Sequence, residues 1–104
     1  MDRMDDGTLV KVMKALADPK RFRMVQEIAA AGELSCGQVG ERFDLSQPTI
    51  SHHLKILTDA GLLVVREAAQ YHFISVNLDL VQQVSSLLPA RLTREGARGR
   101  KRAS

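Results

Sequence analysis

Residues 46–57 carry the clearest helix start in the chain, together with a division into two faces. Ser46 is a typical N-cap, and Pro48 stands in the first turn, where its fixed φ suits a helix and its missing N–H costs nothing. The pattern predicts a helix over residues 47–60. At about 100° per residue, one side of this helix collects the apolar residues that should pack: Ile50, Leu54 and Leu57.

The opposite side of this helix begins with short hydrogen-bonding side chains, and in that group only Lys55 is strongly charged. Such a face fits a recognition helix, whose first turns reach base edges while N–H and hydroxyl groups hold phosphate. An amphipathic surface helix with a polar face is the alternative, and the helix alone does not decide between them. We expect base or groove contacts from Gln47, Ser51 and His52, and phosphate contacts from Ser46, Thr49 and Lys55.

A second, shorter helix is predicted just before it, over residues 35–43. Ser35 can cap this helix, and Gln38 stands three residues later in capping-box register. Only a three-residue turn, residues 44–46, then separates the two helices. Two short helices joined this closely indicate a helix-turn-helix.

A hairpin is predicted after the helix-turn-helix. Gly61 should stop the recognition helix, and two β-prone runs follow at residues 62–66 and 71–76. The four residues between them, 67–70, would form the hairpin tip. A helix-turn-helix followed directly by a hairpin is a winged helix.

Three further helices complete the expected fold. The first covers residues 8–17, and the second covers residues 19–31, with Asp18 as its N-cap and Gly32 as its stop. The last covers residues 77–92, with Asn77 as its cap and Pro89 limiting its regular continuation. The residues expected to face inward from the second helix are Phe22, Val25, Ile28 and Ala29.

The last helix carries five large aliphatic residues, more than a one-sided surface helix needs, so either the core or a twin helix covers them. The first helix, with ten residues, is also marginal alone and needs something to pack on. We therefore expect these two helices to form the interface with a second copy of the chain. The residues predicted for this dimer interface are Leu9, Val12, Met13, Leu16, Leu80, Val84, Leu87 and Leu88.

Three segments together give the chain a resemblance to the ArsR-type family of winged-helix repressors: residues 16–23 (LADPKRFR), residues 45–57 (LSQPTISHHLKIL) and residues 60–63 (AGLL). The resemblance spans residues 15–80. It implies a mainly α protein with a small β-hairpin, about five helices plus a two-stranded wing. It also implies a homodimeric transcriptional regulator, usually a repressor, whose partners are a second copy and double-stranded DNA with a palindromic operator.

The wing departs from the family pattern. ArsR-type proteins commonly carry a basic, glycine-containing tip, whereas residues 67–70 of this chain read EAAQ. The contribution of the wing to DNA binding is therefore open, and Arg66 and Gln70 are the residues left to make it.

The roles of Arg21 and Arg23 in the second helix are also open. Each is either a solvated helix charge or a functional residue, which would contact phosphate or form an intersubunit ion pair. His53 is expected to have a partly buried packing role rather than a base contact.

Length, composition and charge limit the number of domains and the classes of protein that this chain can belong to. The 104 residues suit one domain, and no apolar run approaches the roughly 18 residues of a membrane span. The start of the chain is acidic and unlike a signal peptide, so a cytoplasmic protein is expected. Residues 90–104 hold six basic residues and one acid, a net charge of +5, so the overall +3 leaves −2 for the other 89 residues. We divide the chain into a domain, 1–90, and a basic, disordered tail, 91–104, which is either solubilising or a nonspecific DNA arm.

The residues of the metal sensors known in the resembled family are missing. Where one such site has two cysteines, this chain has Ser35 and Gly37, with its single cysteine, Cys36, between them. A second site would start at Asp79, but no histidine follows His72. His52 and His53 are neighbours that point about 100° apart and do not chelate one ion readily. We expect no metal and no cofactor, and an effector is unknown.

The sequence also bears on two other function classes. A winged-helix module that binds protein instead of DNA is kept open by the acidic tip and the negative folded part. An enzyme is not expected, because the sequence has no Gly-rich phosphate loop, metal-ligand cluster or catalytic array.

Overall fold

The computed structural model describes residues 4–93, and within them the chain forms five α-helices and three β-strands. The helices are α1 (Asp6–Leu16), α2 (Pro19–Ala31), α3 (Cys36–Arg42), α4 (Gln47–Asp59) and α5 (Leu78–Leu92). The strands are β1 (Leu34–Ser35), β2 (Leu63–Ala68) and β3 (Tyr71–Val76). The predicted mainly α winged helix-turn-helix is confirmed.

Each helix begins at a side chain that accepts a hydrogen bond from a backbone N–H of the first turn. The caps predicted at Asp18, Ser35, Ser46 and Asn77 are all present. At α3 the capping box is complete, since Gln38 N donates to Ser35 Oγ at 3.1 Å and Ser35 N donates to Gln38 Oε1 at 2.8 Å. The first helix starts two residues earlier than predicted, because Asp5 caps it. Such caps locate helix starts from local sequence.

The predicted two-stranded wing is present as β2 and β3, but the sheet contains a third strand. All three strands are antiparallel in the order β1-β3-β2, so a third, two-residue strand pairs with β3 through Leu34 opposite Ile74 and Ser35 opposite Phe73. The predicted four-residue tip is wrong. Its first two residues extend β2 and pair with β3, which leaves a turn of Ala69 and Gln70, with Ala69 at φ 56°.

The core lies between the helices and the inner face of the sheet. Its fully buried large side chains are Val12, Met24, Ile28, Val39, Ile50, Leu57, Leu62 and Ile74. The inward face predicted for α2 needs correction, because Phe22 is 51% exposed and Ala29 is exposed, whereas Met24 is fully buried. The reason is Arg21, which lies on the same helix stripe as Met24 and Ile28 and is itself turned toward the protein.

Helix α5 is joined to the rest of the chain more loosely. None of its residues is fully buried, although Leu80 and Val84 pack against the core. It ends at Leu92, as predicted, with Pro89 inside the helix near its end. The end of the helix is held by Arg91, whose guanidinium contacts the Asp6 carboxylate and donates to the Met4 carbonyl at 2.8 Å. Helix α5 thus reaches past position 90, and the predicted tail from residue 94 onward lies outside the described residues.

Candidate nucleic-acid interface

The face of α4 opposite the core is open. Ile50, Leu54 and Leu57 are buried, as predicted from their spacing. On the other side, five of the six residues proposed for DNA contact in this region are exposed: Ser46, Gln47, Ser51, His52 and Lys55. The sixth, Thr49, is half-buried. The helix therefore presents hydrogen-bonding side chains along its first two turns.

The start of α4 is capped by its own hydroxyl groups. Thr49 N donates to Ser46 Oγ at 3.4 Å, and the two side-chain hydroxyl oxygens lie 2.9 Å apart. Ser46 therefore both caps the helix and orients Thr49. Two hydroxyls fixed at a helix N-terminus, where backbone N–H groups carry partial positive charge, suit contact with a phosphate.

Gln47 lies close to the preceding helix. A Cβ added at Gly40 of α3 would stand 3.3 Å from Gln47 Oε1, which is tighter than ordinary van der Waals contact. Glycine at this position therefore allows the carboxamide of Gln47 to lean over α3 while staying exposed. No local sequence pattern points to this role of Gly40, because it depends on a contact between two helices.

The second half of α4 carries an ion pair. Lys55 Nζ donates to Asp59 Oδ2 at 3.0 Å, one turn further along the helix, and both side chains are exposed. Such exposed pairs contribute only a few tenths of a kcal/mol, so solvent and other partners compete readily for Lys55. Lys55 remains available to a phosphate, with Asp59 as its competitor.

His53 connects α4 to α2 rather than facing outward, and its half-buried position confirms the expected packing role. Its Nδ1 lies 3.4 Å from Arg21 Nη1. Desolvation is the largest effect on the imidazole and lowers the pKa of His53; Asp18 acts in the opposite direction, and Arg21 adds to the lowering. The ring is therefore favoured in its neutral form, in which one nitrogen can accept a hydrogen bond from Arg21.

Arg21 serves a structural purpose that sequence reasoning missed. Its Nε donates to the Ala15 carbonyl at 2.7 Å and its Nη2 to the Lys14 carbonyl at 3.3 Å, so it caps the C-terminal end of α1. Its backbone N–H donates to Asp18 Oδ2, and this bond is the main reason that the pKa of Asp18 is lowered. A free solvated charge therefore does not describe Arg21, and a phosphate contact or an intersubunit ion pair would have to displace these bonds.

In the wing, Arg66 is already engaged. Its Nε and Nη2 donate to the two Glu33 carboxylate oxygens at 3.1 and 2.9 Å, and its guanidinium carbon lies 4.8 Å from the Phe73 ring centroid. The hydrogen bonds lower the pKa of Glu33 and raise that of Arg66. Gln70 lies exposed in the tight turn. Arg66 would have to share or leave Glu33 to contact DNA.

The residues predicted for a dimer interface fall into two groups. Leu9 and Val12 are buried in the core of their own chain, whereas Met13 is 36% exposed. Half-buried positions are taken by the remaining residues: Leu16, Leu80, Val84, Leu87 and Leu88. Four further apolar residues of α1 and α5, not predicted for the interface, are exposed: Val10, Leu78, Val81 and Leu92.

Among residues 4–93, no group of three or more His, Cys, Asp or Glu side chains is placed to hold a metal ion. Cys36 is a free, half-exposed thiol. No helix in this part of the chain is long and apolar enough to cross a bilayer.

Comparison with known proteins agrees with this geometry. Residues 16–66 match a family model described as a helix-turn-helix domain. The chain is 35% identical over 83 residues to the HTH-type transcriptional regulator YceK of Bacillus subtilis, covering 79% of this chain and 83% of that one. It is 32% identical over 80 residues to the arsenical resistance operon repressor of Staphylococcus xylosus, covering 77% and 76%.

The fold has solved counterparts. The homodimeric winged helix-turn-helix DNA-binding domain of Mb0332 from Mycobacterium bovis, a possible ArsR-family regulator, superimposes with a TM-score of 0.68 at 18% identity, covering 90% of this chain and 94% of that one. The sequence relatives and the shared winged helix lead to one assignment: the chain belongs to the ArsR family of DNA-binding transcriptional regulators.

Proposed function

We propose that this protein is a homodimeric transcriptional repressor that reads a palindromic operator with residues 47–60. The observation that carries the proposal is the exposed first half of α4, where Gln47, Ser51 and His52 project from a helix fixed by buried residues on its other side. A rigid helix with a polar leading end is what insertion into a major groove requires. The repressor named among the relatives supports repression over activation.

The division of labour follows from position on α4. Gln47, Ser51 and His52 would contact base edges, since a glutamine can bind adenine through two hydrogen bonds and a hydroxyl or imidazole can donate or accept. Ser46, Thr49 and Lys55 would contact phosphates and set the register without reading sequence. Arg66 and Gln70 of the wing would add backbone contacts. Arg66 can make its contact only in competition with Glu33.

The second copy would cover the apolar residues that α1 and α5 leave accessible. Helix α5 has no fully buried residue, yet it carries Leu78, Leu80, Val81, Val84, Leu87, Leu88 and Leu92. Leaving these residues in water would be costly, whereas packing against their twins would stabilise the dimer. Two α4 helices related by a twofold axis would then enter successive major grooves about 34 Å apart, which demands a palindromic site.

Selection of duplexes from a random pool with purified protein tests the proposal. We expect a twofold symmetric motif with half-site centres about one helical turn apart. Recovery of asymmetric or unrelated sequences would contradict it.

On the grounds of family, we also propose that the protein acts in the cytoplasm, as a domain over residues 1–90 followed by a basic segment over 91–104.

A protein-binding module is the second candidate, and one observation favours it. Lys55 and Arg66, the two cations proposed for DNA contact, are both paired with acids, Asp59 and Glu33. Binding to a nonspecific duplex at low salt separates the two functions, because phosphate contacts are strongest there. Complete absence of association would favour the protein-binding module.

A further inference from the structure

A cleft of about 430 Å³ separates the start of α2 from the turn between α3 and α4. Its apolar lining comes from Pro19, Phe43 and Leu45, and its rim carries three basic residues, Lys20, Arg23 and Arg42. One acid, Asp44, also lines it. The cleft is therefore net cationic and open to solvent.

Within the described part of the chain, two of these cations have no partner for their side-chain charge. Most other basic side chains among residues 4–93 are engaged: Arg42 with Glu27, Lys55 with Asp59, Arg66 with Glu33, Arg91 with Asp6, and Arg21 with the end of α1. Within the same residues, Lys20 and Arg23 form no ion pair or side-chain hydrogen bond, and only Lys11 and Lys14 of α1 share this property. The uncompensated positive charge near the helix-turn-helix is thus concentrated at this cleft.

The cleft lies beside the leading end of α4. Leu45 in its lining directly precedes Ser46, the N-cap of α4. Arg21, between the two free cations in sequence, contacts His53 on the second turn of α4. The charge of Lys20 also contributes to lowering the pKa of His53. Lys20 and Arg23 therefore flank α4 from α2, on a different element from the proposed reading residues.

We infer that Lys20 and Arg23 bind the DNA backbone beside the recognition helix, as a second phosphate-binding element distinct from α4 and the wing. This inference rests on the proposed function. Long, unpaired cations at the side of a reading helix would meet phosphates as the helix enters the groove, and such contacts position a protein without reading bases. They also supply attraction that α4 lacks, since Lys55, its one basic residue, is paired with Asp59.

The test is the salt dependence of binding, measured for the selected duplex and for a random duplex. Each phosphate contact contributes about 0.9 to the slope of log affinity against log salt concentration. A homodimer carries each substitution twice. We expect Lys20→Gln and Arg23→Gln each to reduce the magnitude of this slope by about two. Each should also weaken binding to the two duplexes by the same factor. Asp44→Asn should raise the affinity for both duplexes, because it removes the one acidic residue that lines the cleft.

Lys11→Gln is the matched control, since Lys11 is an equally unpaired cation on α1, outside the cleft. It should leave the slope unchanged. Unchanged slopes for both Lys20→Gln and Arg23→Gln would overturn the inference, as would loss of sequence preference without a change in slope. If the wild-type protein selects no motif, the proposed function fails; the slopes on the random duplex still decide whether Lys20 and Arg23 bind the backbone.

Discussion

Arg21 Nη1 lies 3.4 Å from His53 Nδ1, and this contact joins the first turn of α2 to the second turn of the proposed recognition helix. The same guanidinium donates to two carbonyls at the end of α1. One side chain therefore links three helices. Helix α4 is therefore joined to α1 and α2 by this polar junction as well as by its buried apolar residues.

Substituting Arg21 should be unusually destabilising for a charged residue. Hydrogen bonds to charged groups contribute about 1.5–3 kcal/mol, and Arg21→Ala would leave the Ala15 carbonyl without its donor. We expect a loss of about 2 kcal/mol in the free energy of unfolding, measured with urea at fixed protein concentration. Arg23→Ala, on the same helix and exposed, is the control and should change stability by less than about 0.5 kcal/mol. Equal effects of the two substitutions would refute this role for Arg21.

His53 should make stability depend on pH in a defined direction. Folding lowers the pKa of His53 below its usual 6.5, so between the two values the unfolded chain binds more protons than the folded one. Stability must then rise with pH through this window, and the contribution is lost as pH falls from about 6.5 through the folded pKa. In urea unfolding measured as a function of pH, His53→Gln should flatten this rise. His52→Gln, at the exposed neighbouring position, should keep it, and the same slope in wild type and His53→Gln would argue against the assignment.

Features that depend on neighbouring residues could be predicted from the sequence, whereas features that depend on contacts between distant residues could not. The caps at Asp18, Ser35, Ser46 and Asn77 depend on residues three positions apart, and all were predicted. The buried stripe of α4 follows from helical spacing alone. These features need no knowledge of what packs nearby.

Three differences arose where a distant partner decides. Arg21 faces inward because the end of α1 and His53 offer it acceptors, and this turns Phe22 toward solvent. The strand at Leu34 is too short for a sequence pattern and exists through pairing with Ile74, 40 positions away. Arg66 faces Glu33, a residue 33 positions earlier, in a contact that no local pattern announces.

Substitutions of the residues proposed to contact bases should affect DNA binding differently from substitutions of the residues proposed to contact phosphates. Gln47→Ala and His52→Ala should relax preference at individual base pairs, each losing about 1–3 kcal/mol of discrimination between cognate and mismatched duplexes. Lys55→Ala should weaken binding to all duplexes alike. It should also reduce the magnitude of the slope of log affinity against log salt concentration by about one for each half-site. Competition binding with single-base variants of the selected duplex measures both effects. Discrimination left intact in both Gln47→Ala and His52→Ala would remove α4 as the source of specificity.

Introducing charge on α5 should separate the subunits. Leu88 is half-buried and is not among the residues packed against the core of its own chain, so Leu88→Glu should leave the subunit folded. Burying its carboxylate against a second copy would be costly, and sedimentation velocity should therefore show a shift from dimer to monomer. Gln83→Glu, which adds the same charge at an exposed position of α5, should remain dimeric. Persistence of the Leu88→Glu dimer would place the interface elsewhere.

A crystal structure of the protein on its selected duplex tests the central claim most directly. We predict two chains related by a twofold axis, with Gln47, Ser51 and His52 of each within hydrogen-bonding distance of base edges in successive major grooves. A complex in which α4 lies outside the groove, or a single chain bound without its twin, would contradict the account.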